Sequence, residues 1–426
     1  MKLKQKNFFF LVCILLLLLS CMFFFSGCSL FREADGVGRS TVTDKPASSS
    51  SADVPESSVP SSEDSSETSA PVETEPEPSE KRASVLAVGD NIIHEAVFLD
   101  AAARAADGAE YDFLPMYNGV ADMIAGADIA FVNHETPLAG KEYGISGYPT
   151  FNAPREAAQA LVDVGFDVIN LANNHILDKR VAGARATVSY VQSLPVTEIG
   201  VYLDQADYEN IRVTEVNGIR IAWVSFCYGS NNAYNPASDN IIMPLLDDDN
   251  AIQERIRLAS ERADFVIVSA HWGVDGVAEV TAEEKRLAKL MSEAGADVIL
   301  GHHPHIIQPV EWCSRTDGTK TLVVYSLGNF LSTQYYNLNM IGGMMTFDVV
   351  MDEAGNCTID VPVFYPTVNH YSLNRDGLQI YMLQNYTEEL AQKHGTTLKS
   401  AEFTLSWIYK HVTSIIDAEF LPEYFE

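Results

Sequence analysis

Asp297-Val298-Ile299-Leu300-Gly301-His302-His303-Pro304-His305 joins a short apolar run to a cluster of imidazoles. A brief β-branched run bounded by turn-type residues reads as a buried strand, and here the histidines fall just past its end. The same junction recurs along the chain. Val88 is followed by Gly89-Asp90-Asn91, Val132 by Asn133-His134-Glu135, Ala172 by Asn173-Asn174-His175, Ala270 by His271-Trp272-Gly273, and Tyr325 by Ser326-Leu327-Gly328-Asn329. Ligands of open α/β sheets bind beyond the carboxyl ends of the strands, so runs that deliver polar groups at one end build a single concave site.

The apolar runs are Ser84–Val88, Asp128–Val132, Asp167–Ala172, Arg220–Phe226, Asp264–Ala270, Asp297–Leu300 and Leu322–Tyr325. Helix-length segments separate them, at about Arg155–Val164, Val181–Ser193, Ala251–Arg262 and Ala282–Ala294. That alternation predicts an α/β fold. Turns at Asn217-Gly218 and Gly355-Asn356 add antiparallel hairpins, so the sheet is expected to be mixed or split in two.

Alternate residues of an extended segment point the same way. Asn133 and Glu135 are therefore expected to face the site together, as are His303 and His305, with Pro304 biasing His303 toward an extended backbone. His134 and His302 are expected on the opposite side. A helix starting near Asn174 sets Asp178 one turn from His175, where a carboxylate can orient the imidazole and raise its basicity. The pooled donors are oxygens and imidazoles without thiolate, a set that suits one or two divalent ions of Mn, Fe, Zn or Mg. A polar cluster that binds a ligand without metal is the alternative.

The amino terminus has its own logic. Lys2, Lys4 and Lys6 precede an apolar run from Phe8 to Phe25, and Phe25-Ser26-Gly27-Cys28 follows. Basic, then apolar, then small residues before a cysteine is the order of a lipoprotein signal peptide, which predicts acylation at Cys28 and an extracellular chain anchored to the cell membrane. An uncleaved spanning helix is the alternative. From about Arg32 to Arg82 the sequence turns to Ser, Pro, Glu, Thr and Ala, too poor in large apolar groups to offset the entropy of folding. The expected organisation is a signal segment over 1–27, an acidic tether over 28–82, a folded domain over 83–370 and a helical extension over 371–426. Trp407 and Tyr409 are expected in its core contacts.

A formal charge of −30 argues against a nucleic-acid partner, because phosphate binding needs a basic patch. Beyond the signal region only Cys227, Cys313 and Cys357 remain, too few for a disulfide framework.

Gly89-Asp90, Asn133-x-Glu135, Leu171-Ala172-Asn173-Asn174-His175 with Asp178, His271-Trp272-Gly273, Gly301-His302-His303-Pro304-His305 and Ser326-Leu327-Gly328-Asn329-Phe330 resemble, in order, the motifs of the CapA, or poly-γ-glutamate capsule synthesis, family. The resemblance implies a calcineurin-like metallophosphatase fold, an αββα sandwich with mixed sheets. It implies Asp90, Glu135, Asn174, His271, His303 and His305 as metal ligands and His175, held by Asp178, as the catalytic histidine. Asn91, Asn133, Trp272, His302 and Asn329 are expected to support those groups or to touch substrate. Three positions depart from the family pattern. His134 stands where an apolar residue is usual, Lys179-Arg180-Val181-Ala182 lacks a glycine-rich form, and the first motif is Gly-Asp-Asn with His94 four residues on, where metallophosphatases proper have Asp-x-His.

The implied activity is metal-dependent hydrolysis or transfer at an amide bond of poly-γ-glutamate or another wall polymer, with capsule synthase or export subunits as partners. The alternatives are a non-enzymatic subunit that guides the polymer during export and a secreted phosphodiesterase.

Overall fold

The structure is a computed structural model that describes residues 80–234, 240–399 and 402–425. The signal segment, Cys28 and nearly all of the tether lie outside the described residues. Lys81 and Arg82, assigned from the sequence to the tether, instead open the first strand, where Arg82 pairs with Asp348 and Asp360 at 2.6 and 2.9 Å.

Fourteen strands among the described residues form two sheets. In chain order they are β1 (Lys81–Asn91), β2 (Ile129–His134), β3 (Val168–Asn170), β4 (Thr197–Ile199), β5 (Arg212–Val216), β6 (Ile219–Cys227), β7 (Phe265–His271), β8 (Val298–His302), β9 (Val310–Ser314), β10 (Lys320–Val324), β11 (Asn329–Leu331), β12 (Ile341–Met351), β13 (Cys357–His370) and β14 (Gln379–Met382). The first sheet runs β14-β13-β12-β1-β2-β3-β4, with β11 beside the end of β1. The second runs β5-β6-β7-β8-β10-β9. Each is mixed: β1 to β4 are parallel while β12 opposes β1, and β6, β7, β8 and β10 are parallel while β5 and β9 oppose their neighbours.

Period-two alternation decides the layers. In β6, Ile221 and Trp223 enter the core shared with the first sheet, where Trp223 stacks on Phe131 at 5.6 Å. Ala222, Val224 and Phe226 turn the other way. There they meet Ile252 and Ile256 of helix α4 (Asp249–Ser260) and Leu287 and Met291 of α5 (Ala282–Ala294). Helices α1 (Glu95–Arg104), α2 (Glu156–Val164) and α3 (Arg180–Val191) bury Val97, Leu161 and Val188 in the larger core. This is the two-sheet, helix-flanked arrangement that the resemblance implies.

Caps set the helix limits. Thr281 and Glu284 form a reciprocal capping box on α5, and Asp248 accepts from two backbone N–H groups of α4. The run expected over Asp167–Ala172 is paired only over Val168–Asn170, because the Asn170 side chain accepts from Ala172 N at 3.2 Å and turns the backbone away. No helix starts near Asn174. Asn173 Oδ1 accepts from His175 N at 3.1 Å, an Asx turn that competes with helix, and α3 begins only at Arg180.

The segment after 370 is more than helices laid on a finished domain. It supplies β14, which pairs with β13, and Tyr371, Ile380, Ile408 and Phe420 belong to the main core. Trp407 and Tyr409, on helix α6 (Leu405–Ile415), pack against that core while only partly buried. Cys227, Cys313 and Cys357 are free thiols. Among the described residues no helix is long and apolar enough to cross a membrane.

Candidate metal centre

The ends of β1, β2, β7 and β8 converge on a buried cluster. Asp90 is the last residue but one of β1, and its Oδ2 lies 2.8 Å from His305 Nδ1 and accepts from His303 N at 3.3 Å. Its Oδ1 accepts from Asn133 Nδ2 at 2.8 Å. Gly89 makes this approach possible: a Cβ there would stand 1.9 Å from Gly328 O, the atom that accepts from Asp90 N at 2.9 Å.

Glu135 lies at the centre. Its Oε1 is 3.5 Å from His305 Nε2 and 3.9 Å from His271 Nε2. Two donors bound about 2.1 Å from one ion stand roughly 3–4 Å apart. Two trios come near that spacing, Glu135 with His271 and His303, and Asp90 with Glu135 and His305, each with its ligand atoms within 4.8 Å of one another. Glu135 belongs to both. Asn174 Oδ1, 3.0 Å from His271 Nε2, adds an oxygen beside the first trio.

Both Glu135 oxygens, His271 Nδ1 and His303 Nδ1 are buried without a hydrogen-bond partner. A buried carboxylate with no partner costs several kcal/mol, roughly, and native proteins resolve such groups with water or an ion. The residues therefore fit a divalent cation. The electrostatics agree in direction: burial pushes Glu135 well above the usual carboxylate range despite His305, and burial with neighbouring His305 pushes His303 down to about 3. Burial opposes charge on His305, yet Glu135 and Asp90 raise it to about 10.

The cluster floors a cavity of about 300 Å³ into which His175 also opens. Its Nδ1 lies 2.8 Å from Asp178 Oδ2. Because the carboxylate only accepts, Nδ1 carries the proton and Nε2 is left for exchange. The same Asp178 oxygen accepts from Phe151 N at 2.8 Å, and Asn232 Nδ2 donates to Oδ1 at 3.1 Å, so the orienting group is itself held.

Residues 84–334, which contain every group named in this site, match the family model for the bacterial capsule synthesis protein PGA_cap. The chain belongs to this CapA-type family. It is 33% identical over 236 residues to the PGA biosynthesis protein CapA of Bacillus subtilis, covering 53% of this chain and 58% of the relative. It is 29% identical over 214 residues to the capsule biosynthesis protein CapA of Bacillus anthracis, covering 49% and 50%. The chain thus spans between half and three-fifths of these curated relatives. The solved NAD nucleotidase of Haemophilus influenzae aligns with a TM-score of 0.41 at 12% identity, over 79% of this chain and 60% of that one.

Within this family member, the expected residues reach the site by unexpected routes. His303 and His305 enter together, but not by strand alternation: their φ angles are 97° and 59°, so Pro304 does not hold His303 extended. β8 ends at His302, and the left-handed turns that follow aim both rings inward. His302 is not on the far side either. Its Nδ1 lies 3.5 Å from Asp90 Oδ1, and its ring packs 5.7 Å from Phe131. His134 does point away, meeting Asn91 at 3.0 Å and Thr136 at 3.2 Å.

None of the five supporting residues lines the cavity: Asn133 and His302 act through Asp90, and the other three face elsewhere. Asn91 accepts from Tyr117 and holds His134, since it follows Asp90 on the strand and faces the other side. Trp272 is buried in the outer core, donating to Tyr325 O at 2.9 Å. Asn329 donates to Gln334 Oε1 at 2.7 Å and so braces the loop that lines the cavity rim. Sequence reading missed Tyr228, Asn231 and Asp275, all of which line the cavity, and Asn170 and Ser225, which stand behind the expected Asn133. Tyr228 was within reach of the pattern, being the residue just past β6; its ring stands 4.7 Å from His303.

Proposed function

We propose that this chain is a metal-dependent hydrolase or transferase that acts on an amide bond of poly-γ-glutamate or a related anionic envelope polymer, held outside the membrane by lipid on Cys28. The observation that carries the reading is the His175–Asp178 pair opening into the same cavity as two donor trios that share Glu135. The names of the Bacillus relatives, PGA and capsule biosynthesis proteins, support the polymer. Glu135, His271 and His303 would hold one ion, and Asp90, Glu135 and His305 a second.

Divalent ions in such a place lower the pKa of bound water toward neutrality and polarise the bond under attack. The protein's own part is proton handling and orientation. In hydrolysis a water oxygen bonds to the amide carbon, the C–N bond breaks, and the departing nitrogen needs a proton. His175 Nε2 takes a proton from the water as its oxygen bonds to the carbonyl carbon, Asp178 on Nδ1–H stabilises the imidazolium so formed, and Nε2 hands that proton to the departing nitrogen as the C–N bond breaks, which restores the neutral ring.

The test is turnover of a γ-glutamyl oligomer by purified chain with added divalent metal. His175→Ala is expected to keep its metal and melting temperature while turnover falls about 10²–10⁴-fold, and Asp178→Asn to lose about 10–100-fold. Loss of metal with His175→Ala would make it a ligand and overturn its assigned role. Binding of the oligomer without turnover in any variant would replace the enzyme by a polymer guide. Comparable hydrolysis of a generic phosphodiester would replace it by a phosphodiesterase.

A further inference from the structure

A second cavity of about 920 Å³ adjoins the metal centre. His94, Tyr148, Asp275 and Gln334 line both, so the two share a border. The larger one is also lined by Arg375, which lies beyond residue 334, where the family match ends.

Arg375 sits in a tight turn. Its N donates to Ser372 O at 2.8 Å, Ser372 N donates to Asp376 O at 2.9 Å, and Asp100 fastens the next residues by accepting from Gly377 N and Leu378 N at 3.0 Å each. Its φ of 62° is left-handed, a conformation that a long side chain adopts only when its surroundings hold it there. The guanidinium stands 4.5 Å over the Tyr335 ring, donating from Nη1 to the Tyr335 hydroxyl at 2.8 Å and from Nη2 to Thr333 O. Thr333 and Tyr335 line the same cavity, which places the charged end there.

What Arg375 lacks is a carboxylate. Arg82, Arg212, Arg220, Arg257 and Arg286 each face one, in a chain whose net charge is −30; Arg180, Arg185, Arg255 and Arg262 do not, but none of those four lines this cavity. Arg375 instead spends one hydrogen on a hydroxyl and one on a carbonyl, and its Nε is buried without a partner. Each Nη keeps a second N–H, the two-pronged arrangement that matches a carboxylate.

We propose that Arg375 is the specificity residue of this groove and binds a carboxylate of the polymer beside the amide presented to the metal centre. The proposal rests on the reading of the site as one that takes an anionic, amide-bonded chain. Glu95 and Asp275 line the same groove and repel anions, so the carboxylate is confined to the Arg375 end, while N–H groups of the substrate suit the acidic border. Exposed rings of Tyr148 and Tyr336 offer apolar walls for intervening methylenes.

The experiment is equilibrium binding of a labelled γ-linked glutamate oligomer to the full chain carrying His175→Ala, with and without Arg375→Gln. Losing a charge-assisted hydrogen-bonded pair is expected to weaken binding about 10- to 100-fold. Arg375→Lys should recover part of it, and the neutral γ-glutamine oligomer should bind weakly whichever residue stands at 375. Equal affinity with and without Arg375, or equal weakening for both oligomers, overturns the proposal. Turnover by the unsubstituted chain is measured separately: Arg375-dependent binding without turnover leaves the subsite standing and sinks the hydrolase reading, and turnover whose KM ignores Arg375→Gln does the reverse.

Discussion

Glu135 is the side chain on which the centre turns. It is fully buried, it belongs to both donor trios, and neither of its oxygens has a hydrogen bond. His303 and His305 each belong to one trio. Glu135→Gln is therefore expected to lower metal content further than His303→Ala or His305→Ala alone, by elemental analysis of the purified proteins. Equal loss in all three would mean that one ion, not two, is held. At this scale identity was readable from motif spacing, but orientation was not. His302 touches Asp90 because it keeps the alternation of Val298 and Leu300 on β8, which the turns at His303 and His305 then break, and Trp272 continues the outward face of Val268 and Ala270 past β7.

Among the elements, β1 is the most constrained, paired with β2, β11 and β12 at once. Gly89 lets it do so. A methyl at that position would collide with Gly328 O at 1.9 Å, where neither backbone can yield cheaply. Gly89→Ala is expected to cost roughly 1–3 kcal/mol or more, read as a fall in melting temperature, with metal lost as Asp90 is displaced. At the sheet edge, β4 carries a different sensitivity. Burial pushes Glu198 up to about 7 from 4.5, against the pull of Arg212 at 3.7 Å and Gln192 at 3.1 Å and with Asp207 adding to the rise. A raised carboxyl stabilises the fold when protonated, so this contribution is intact below pH 4.5 and is lost as pH rises through about 7. Melting across pH 4 to 9 should show the wild type losing about 3 kcal/mol relative to Glu198→Gln over that interval. A constant gap would show that Glu198 ionises normally in the fold.

Over the whole molecule, the segment after His370 is part of the body that holds the site. Its β14 completes the first sheet, and its turn at Ser372–Gly377 carries Arg375 to the groove. The amino-terminal part is argued from sequence alone, since Cys28 lies outside the described residues. If that cysteine bears lipid, Cys28→Ala is expected to abolish labelling by a fatty-acid probe in cells and to release the chain from the membrane fraction. Persistent labelling would overturn the anchor.

The sequence by itself determined seven of the strands, four of the helices and which residues stand at the ends of those strands, because hydrophobic periodicity and turn chemistry are local properties. It also carried the order of motifs by which the family is recognised. Only the tertiary structure decided that Glu135 lies within reach of both His271 and His305, that Asn170 and Ser225 stand behind Asn133, and that Arg375 meets the groove from the far end of the chain. These contacts join residues far apart in sequence, and their geometry is set by sheet pairing and by turns whose φ angles no periodicity reveals.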